Sequence, residues 1–130
     1  MKKEPRILLV DDEINLLRST AKTLLRAGFD VETATDIASA QEQIRVNGFD
    51  LIILDLNMPD FNGQSTKYAG LDLLKRLAVE RPQTPVIINS AWDEAETAKQ
   101  CLDAGATDYF VKGRNKEMLK KIRTVLHLSD

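Results

Sequence analysis

The sequence predicts an α/β fold, a doubly wound five-stranded parallel sheet with helices on both faces. Two observations predict it. Short aliphatic runs without polar alternation, typical of strands covered on both faces, recur along the chain. Segments with apolar residues at helical spacing separate these runs. Strands and helices therefore alternate, and right-handed crossovers place the strands in parallel.

Five segments are predicted strands. Four of them are nearly pure aliphatic or end that way: Ile7–Val10, Leu51–Leu54, Val86–Ile88 and Tyr109–Val111. The other, Val31–Ala34, alternates with polar residues, which predicts a place nearer an edge of the sheet.

Helices are predicted from apolar stripes at three- and four-residue spacing. The stripes run from Ile14 to Leu25, Ile37 to Ile44, Leu71 to Leu77, Ala95 to Leu102 and Met118 to Leu126. Segment 59–70 breaks this rhythm, because it is long and polar for a connection that usually takes about 2–6 residues.

Composition and charge narrow the class of protein. The 130 residues are 43% hydrophobic and 29% charged, typical of a folded domain, so residues 1–130 are expected to form one domain. A net charge of −2 lacks the basic character of a nucleic-acid binder. The apolar run after the basic N-terminus, Ile7–Val10, is too short for a signal peptide or a membrane span. The single cysteine, Cys101, suits a reducing compartment, so we predict a cytoplasmic protein.

Polar side chains follow four of the predicted strands, at the edge where open α/β sheets have their active crevice. In chain order they are Asp11, Asp12 and Glu13, then Asp55 and Asn57, then Asn89 and Ser90, and finally Lys112. Any one of them could be a turn residue, and for Asp11 or Glu13 alone helix capping is the simpler interpretation. Compatible groups at all four strand ends favour a shared site.

The residue types at this edge predict phosphoryl chemistry on a carboxylate. Clustered carboxylates repel one another unless a cation neutralises them. Their oxygens suit Mg²⁺, which shares its sites with phosphate oxygens. Lys112 and Ser90 could bind a phosphoryl oxygen. An aspartate in such a site can act as a nucleophile and become an acyl phosphate.

The motifs at these strand ends resemble the receiver domain of two-component response regulators. In chain order they are ILLVDDE at 7–13, LDLNMP at 54–59, Ser90–Ala91 and GATDYFVK at 105–112. The resemblance implies the flavodoxin-like fold with strand order 2-1-3-4-5. It also implies that Asp55 is the phospho-acceptor. Asp12 would bind Mg²⁺ directly, Asp11 would help through water, and Asn57 would offer its backbone carbonyl.

The same resemblance implies roles for the residues that follow the last two strands. Ser90 and Lys112 would bind the phosphoryl group, and Tyr109 would be the aromatic that turns inward on activation. Trp92 would flank the phosphoryl group and exclude the attacking water. A partly exposed ring packed on the fourth helix is the alternative interpretation of Trp92.

The implied function is a signalling switch that takes a phosphoryl group from a histidine kinase or phosphotransfer protein, with Mg²⁺. It would catalyse only its own phosphorylation and dephosphorylation and act on an output domain or protein. Direct nucleic-acid or membrane contact is not expected, and a homodimer would be compatible. Two alternatives stay open: an aspartate-nucleophile phosphatase, although those typically show Asp-x-Asp after the first strand, and a receiver that only binds partners.

Two departures from the family pattern matter. Gly113 stands where the family usually has a proline after a characteristically cis bond. Because a cis bond before glycine costs about 2.5–4 kcal/mol, we predict a trans Lys112–Gly113 bond, with Lys112 still pointing at Asp55. About seven residues, 64–70, look inserted before Leu71. A tolerated surface loop is the simpler interpretation, and a partner contact is the alternative.

Overall fold

The computed structural model describes residues 4–56, 58–59, 65–90 and 95–128. The strands are β1 (Arg6–Val10), β2 (Asp30–Ala34), β3 (Leu51–Asp55), β4 (Met58–Pro59), β5 (Ser65–Thr66), β6 (Val86–Ser90) and β7 (Asp108–Val111). The helices are α1 (Ile14–Arg26), α2 (Ile37–Val46), α3 (Lys67–Glu80), α4 (Ala95–Asp103) and α5 (Asn115–Val125). None of these helices has the length and apolar character needed to cross a bilayer.

The main sheet is parallel and has the order β2-β1-β3-β6-β7. Counted along the chain without β4 and β5, this is the predicted order 2-1-3-4-5. The partly exposed β2 lies at one edge, as its polar alternation predicted. The carboxyl ends of β1, β3, β6 and β7 therefore meet side by side, where the candidate site residues lie.

Apolar side chains cover both faces of this sheet. On one face, Leu54 and Ile88 pack with buried residues of α2, α3 and α4. On the other face, Ile53, Ile87 and Phe110 pack with buried residues of α1 and α5. Because successive side chains of a strand point to opposite faces, neighbouring residues at a strand end enter different layers.

The segment before the apolar stripe of α3 differs from the predicted loop. Strands β4 and β5 pair antiparallel, and α3 begins at Lys67, before Leu71. The prediction of a loop is therefore wrong for residues 65–70, while residue 64 lies outside the described residues. That the segment is an insertion relative to the family stays a prediction. The first turn of α3 escaped prediction because its packing residues, Ala69 and Gly70, are small and do not extend the stripe of large apolar side chains.

Candidate functional site

Three carboxylates form a cluster where β1 and β3 end. Asp11, Asp12 and Asp55 each offer one oxygen, and these oxygens lie within 4.8 Å of one another. Asp11 and Asp55 are 2% and 1% exposed, whereas Asp12 is exposed. The cluster therefore combines two buried charges with one that faces solvent.

Asp11 also organises the start of α1. Its Oδ1 accepts the backbone N–H of Glu13 at 2.9 Å, while the side chain of Glu13 makes no capping hydrogen bond. The side chain of Asp11 thus closes the turn that precedes α1 rather than capping the helix, and the capping interpretation is also wrong for Glu13. Because Oδ1 is held in this way, Oδ2 of Asp11 is directed to the cluster.

Lys112 neutralises part of the buried charge. Its Nζ lies 3.1 Å from Oδ2 of Asp55 and 3.1 Å from Oδ2 of Asp11. The backbone N–H of Lys112 donates to the carbonyl of Ser90 at 2.9 Å, which fixes where the side chain starts. Burial lowers the pKa of Lys112, but the Asp55 and Asp11 carboxylates outweigh that effect and raise the pKa overall. The ammonium therefore stays charged.

The bond that follows Lys112 is trans, as predicted from Gly113. Gly113 has a φ of +89°, in the left-handed region that favours glycine. Proline, whose ring holds φ near −65°, cannot adopt this conformation. Lys112 nevertheless points at Asp55, as expected from its position just after β7.

Ser90 and Tyr109 lie in the other layer. Tyr109 is 8% exposed and belongs to the cluster under α2, α3 and α4. Ser90 is completely buried and, by strand alternation, shares that face with Ile88. By strand alternation both residues start in the layer opposite to Asp55 and Lys112. Ser90 lies on the strand between theirs, and Tyr109 lies three residues before Lys112. Asn57 and Trp92 lie outside the described residues, so their roles stay predictions.

Two residues near Asp55 had no predicted role. Asn89 is 4% exposed and pairs in register with Asp55, although β6 is otherwise aliphatic up to Ser90. Gly70 of α3 sits on the backbone of Leu56, where an added Cβ would lie 2.9 Å from the carbonyl carbon and from Cα. The available signals were a polar residue inside an aliphatic strand and a glycine inside a helix.

The cluster has the donor set of a divalent cation site. Carboxylate oxygens are hard ligands, and Mg²⁺ keeps several waters, which the exposed side of Asp12 allows. Oxygens of Asp11 and Asp55 also contact the Lys112 ammonium, so a cation would compete with it for these two carboxylates. The residues present therefore fit a hydrated divalent ion.

Comparison with known proteins gave one family. The model of the response regulator receiver domain matches residues 7–123. The alginate biosynthesis regulator AlgB of Pseudomonas aeruginosa is 36% identical over 118 residues, which are 91% of this chain and 25% of AlgB. The cell cycle regulator CtrA of Caulobacter vibrioides is 33% identical over 126 residues, 95% of this chain and 51% of CtrA. The chain thus spans a quarter to a half of the length of these relatives.

Solved structures of receiver domains are similar to nearly the whole chain. A receiver domain of the Francisella response regulator 1452 superposes with a TM-score of 0.84 at 29% identity, covering 95% of this chain and 98% of that one. A CheY-like receiver domain protein from Methanospirillum hungatei JF-1 also gives 0.84 at 29% identity, covering 96% and 95%.

Proposed function

Because the chain belongs to the response regulator receiver domain family, we propose that it accepts a phosphoryl group on Asp55 with Mg²⁺. The observation that supports this most directly is the Asp11, Asp12 and Asp55 cluster, with Lys112 on two of its members. A buried carboxylate that already has an ammonium beside it is suited to carry a phosphoryl group, since the ammonium can pair with the added oxygens.

Each residue has a distinct part in the proposed reaction. Asp11, Asp12 and the backbone carbonyl of Asn57, together with Asp55, would hold the cation. When bound, Mg²⁺ supplies charge neutralisation for the transferring phosphoryl group. The carboxylate oxygen of Asp55 attacks phosphorus, the bond to the donor nitrogen breaks, and an acyl phosphate forms.

The remaining residues would bind and report the phosphoryl group. Lys112 would pair with one phosphoryl oxygen and Ser90 would hydrogen-bond another. Because Ser90 and Tyr109 share the face under α2, α3 and α4, a movement of Ser90 would reach the Tyr109 ring. Trp92, two residues after Ser90, would flank the site and slow attack by water.

The proposed partners follow from the same family. The donor would be a histidine kinase or phosphotransfer protein, and the recipient of the signal an output domain or protein. The names of AlgB and CtrA describe transcriptional regulators, so a regulator of transcription is the proposed context. We further propose that residues 1–130 act as one receiver unit in the cytoplasm, and that catalysis is limited to the chain's own phosphorylation and dephosphorylation.

The test is labelling by a small-molecule phosphodonor such as acetyl phosphate, measured by intact mass with Mg²⁺ and with excess chelator. We expect the parent to gain one phosphoryl mass only with Mg²⁺ and to lose it in hydroxylamine, as an acyl phosphate does. Asp55→Asn should gain none. The control Asp103→Asn removes an exposed carboxylate of α4 and should label like the parent. Equal labelling of Asp55→Asn would disprove the assignment, and an unlabelled parent would favour a binding module.

A further inference from the structure

Four side chains form a row across the sheet at the level of Asp55. Asp55 pairs in register with Asn89, and Asn89 pairs with Phe110. Asp11 follows Val10 as Asp55 follows Leu54, and those two residues are register partners. Neighbouring strands lie about 4.8 Å apart, so each member of the row is adjacent to the next. In order across the sheet the row is Asp11, Asp55, Asn89 and Phe110.

Strand alternation places this row on the face covered by α1 and α5. Ile53 and Ile87, two residues before Asp55 and Asn89, belong to the cluster on that face, and so does Phe110. The Asn89 side chain therefore lies in the same layer as the Asp55 carboxylate. Phe110, 2% exposed, is its neighbour on the other side.

The Asn89 amide has an unused acceptor in this buried place. Asn89 is 4% exposed, and no hydrogen-bond donor reaches its Oδ1 from the described parts of the chain. A buried acceptor without a donor destabilises the fold compared with an apolar side chain of similar shape. A buried polar group of this kind calls for an explanation, such as a role in the site or a bound water or ion.

Lys112 is the candidate donor, because its backbone N–H bonds the carbonyl of Ser90, the residue that follows Asn89. Lys112 directly follows β7, which is separated from β3 by β6, so its side chain must pass over the end of β6 to contact Asp55. The ammonium has three N–H groups, and its contacts with described residues are to Asp11 and Asp55. Asn89 lies in β6, at the register position next to Asp55.

Entry of a cation at Asp11 and Asp55 would change the surroundings of the ammonium. Like charges repel, so the ammonium would have to withdraw from the carboxylates that the ion takes. In a buried site, each lost acceptor must be replaced for the withdrawal to be tolerated. The register neighbour of Asp55 offers a neutral one.

We propose that Asn89 is a positioning residue for Lys112, and that its Oδ1 accepts an N–H of the ammonium when a divalent cation binds Asp11 and Asp55. This inference rests on the proposed function. It makes Asn89 a part of the site that lets cation and lysine coexist, and it keeps the ammonium beside Asp55 for the phosphoryl group.

The test is a double-mutant cycle on Mg²⁺ affinity, measured by isothermal titration calorimetry on the full chain. The proteins are the parent, Asn89→Leu, Lys112→Met and the double variant. We expect Asn89→Leu to raise the Kd for Mg²⁺ by about tenfold or more, as for loss of one hydrogen bond to a charged group. Lys112→Met should lower the Kd, because the competing ammonium is gone. In the Lys112→Met background Asn89→Leu should not change the Kd, since no ammonium is left to donate to Oδ1 of Asn89.

Two further variants separate this role from packing. Asn89→Ala removes the acceptor without adding bulk and should raise the Kd as Asn89→Leu does. Ile87→Leu changes packing on the same strand and face and should leave the Kd unchanged. In protein labelled with ¹⁵N at lysine, the Lys112 ammonium signal should persist with Mg²⁺ in the parent and be lost to exchange in Asn89→Leu. This measurement does not depend on the folding of Lys112→Met.

Three outcomes would overturn the inference. An unchanged Kd in both Asn89 variants would remove the role of Asn89 while leaving the proposed function intact. If the Asn89→Leu substitution weakens Mg²⁺ binding equally in the parent and in the Lys112→Met background, Asn89 acts through packing rather than through the lysine. A parent that binds no Mg²⁺ would overturn the metal-dependent function itself, and this inference with it.

Discussion

Gly113 determines how the chain leaves the site after Lys112. The φ of Gly113 is +89°, and a Cβ added there would meet no atom within 4 Å. Glycine is therefore favoured here by the backbone conformation and not by packing. We expect Gly113→Ala to destabilise the fold by about 1–2 kcal/mol, the cost of a left-handed residue with a side chain. Gly113→Asn should cost less, since asparagine tolerates this region better. The measurement is the free energy of unfolding in urea.

Proline, the residue that the family usually has at this position, allows a stricter test. Gly113→Pro should destabilise more than Gly113→Ala, because the proline ring excludes a positive φ altogether. The control is Gly48→Ala, where φ is outside the left-handed region and no atom lies within 4 Å of the added Cβ. Unchanged stability in Gly113→Pro would mean that this loop takes a second route at little cost.

Cys101 gives the fold a dependence on alkaline pH. Burial raises the pKa of its thiol, so the folded chain holds this proton more tightly than the unfolded chain does. Its contribution to stability is complete below the ordinary cysteine pKa of about 8.5 and is lost as pH rises through the raised value. We expect the stability difference between the parent and Cys101→Ala to shrink from pH 7 to pH 10. Parallel stability curves over that range would contradict this expectation.

The sequence predicted the residues of the site unevenly, for a physical reason. Asp55 and Lys112 could be paired from sequence because parallel strands bring their carboxyl ends together, and the structure places them 3.1 Å apart. Asn89 received no role because its importance lies in the register between β3 and β6, which a linear pattern does not contain. The lysine contact with Asp11 likewise depends on the order of four neighbouring strands, β1, β3, β6 and β7.

At the scale of elements, α3 approaches the end of β3 closely because the residue at the contact, Gly70, has no side chain. Gly70 faces the Leu56 backbone so closely that a Cβ would lie 2.9 Å from its carbonyl carbon. Helix propensity alone predicts that Gly70→Ala stabilises α3 by about 1 kcal/mol. We expect the opposite, a loss of about 1–3 kcal/mol, because the helix must move away from the residue that follows Asp55.

Urea unfolding measures this loss, with Gly48→Ala as the control for glycine entropy at an open position. If the displaced helix also disturbs the site, labelling of Asp55 should slow in Gly70→Ala while Gly48→Ala labels normally. Stabilisation by Gly70→Ala would show that α3 can shift without strain and that the close approach is not required.

Helices and strands were predicted correctly where large apolar residues recur at the spacing typical of the element. Four strands of the main sheet were found from aliphatic runs, and β2, with its edge position, from its alternation with polar residues. The β4 and β5 pair was missed because two-residue strands have no period to detect. The start of α3 was missed because burial there uses Ala69 and Gly70, whose small size makes close packing possible and hides the stripe.

At the scale of the whole molecule, the two faces of the sheet hold different parts of the proposed site. The groups that would bind the cation and the phosphoryl group lie on one face, and the residues that would transmit the change lie on the other. Asp11, Asp55 and Lys112 occupy the layer of α1 and α5, while Ser90 and Tyr109 occupy the layer of α2, α3 and α4. Adjacent residues of one strand, Asn89 and Ser90, thus belong to different layers. A change at Asp55 can therefore reach the far face through a single strand end, without passing through the core.

The same arrangement makes the stability of the whole domain depend on the cation. The folded chain brings three carboxylates together, two of which contact the Lys112 ammonium, whereas the unfolded chain separates them. A cation that binds only the folded chain stabilises it by mass action, by about 1.4 kcal/mol at ten times its Kd. For a domain of this size that energy corresponds to a rise in Tm of about 5 °C.

We therefore expect Mg²⁺ to raise the Tm of the parent and excess chelator to reverse the rise. Circular dichroism melts at constant ionic strength would measure it, because added salt alone screens carboxylate repulsion. Asp12→Asn removes the exposed member of the cluster, and its own Tm without Mg²⁺ should equal or exceed that of the parent, since one repelling charge is gone. The Mg²⁺-dependent rise should be mostly lost in that variant. A full rise in Asp12→Asn would place the ion elsewhere on the molecule, and no rise in the parent would mean that Lys112 keeps Asp11 and Asp55 from the cation.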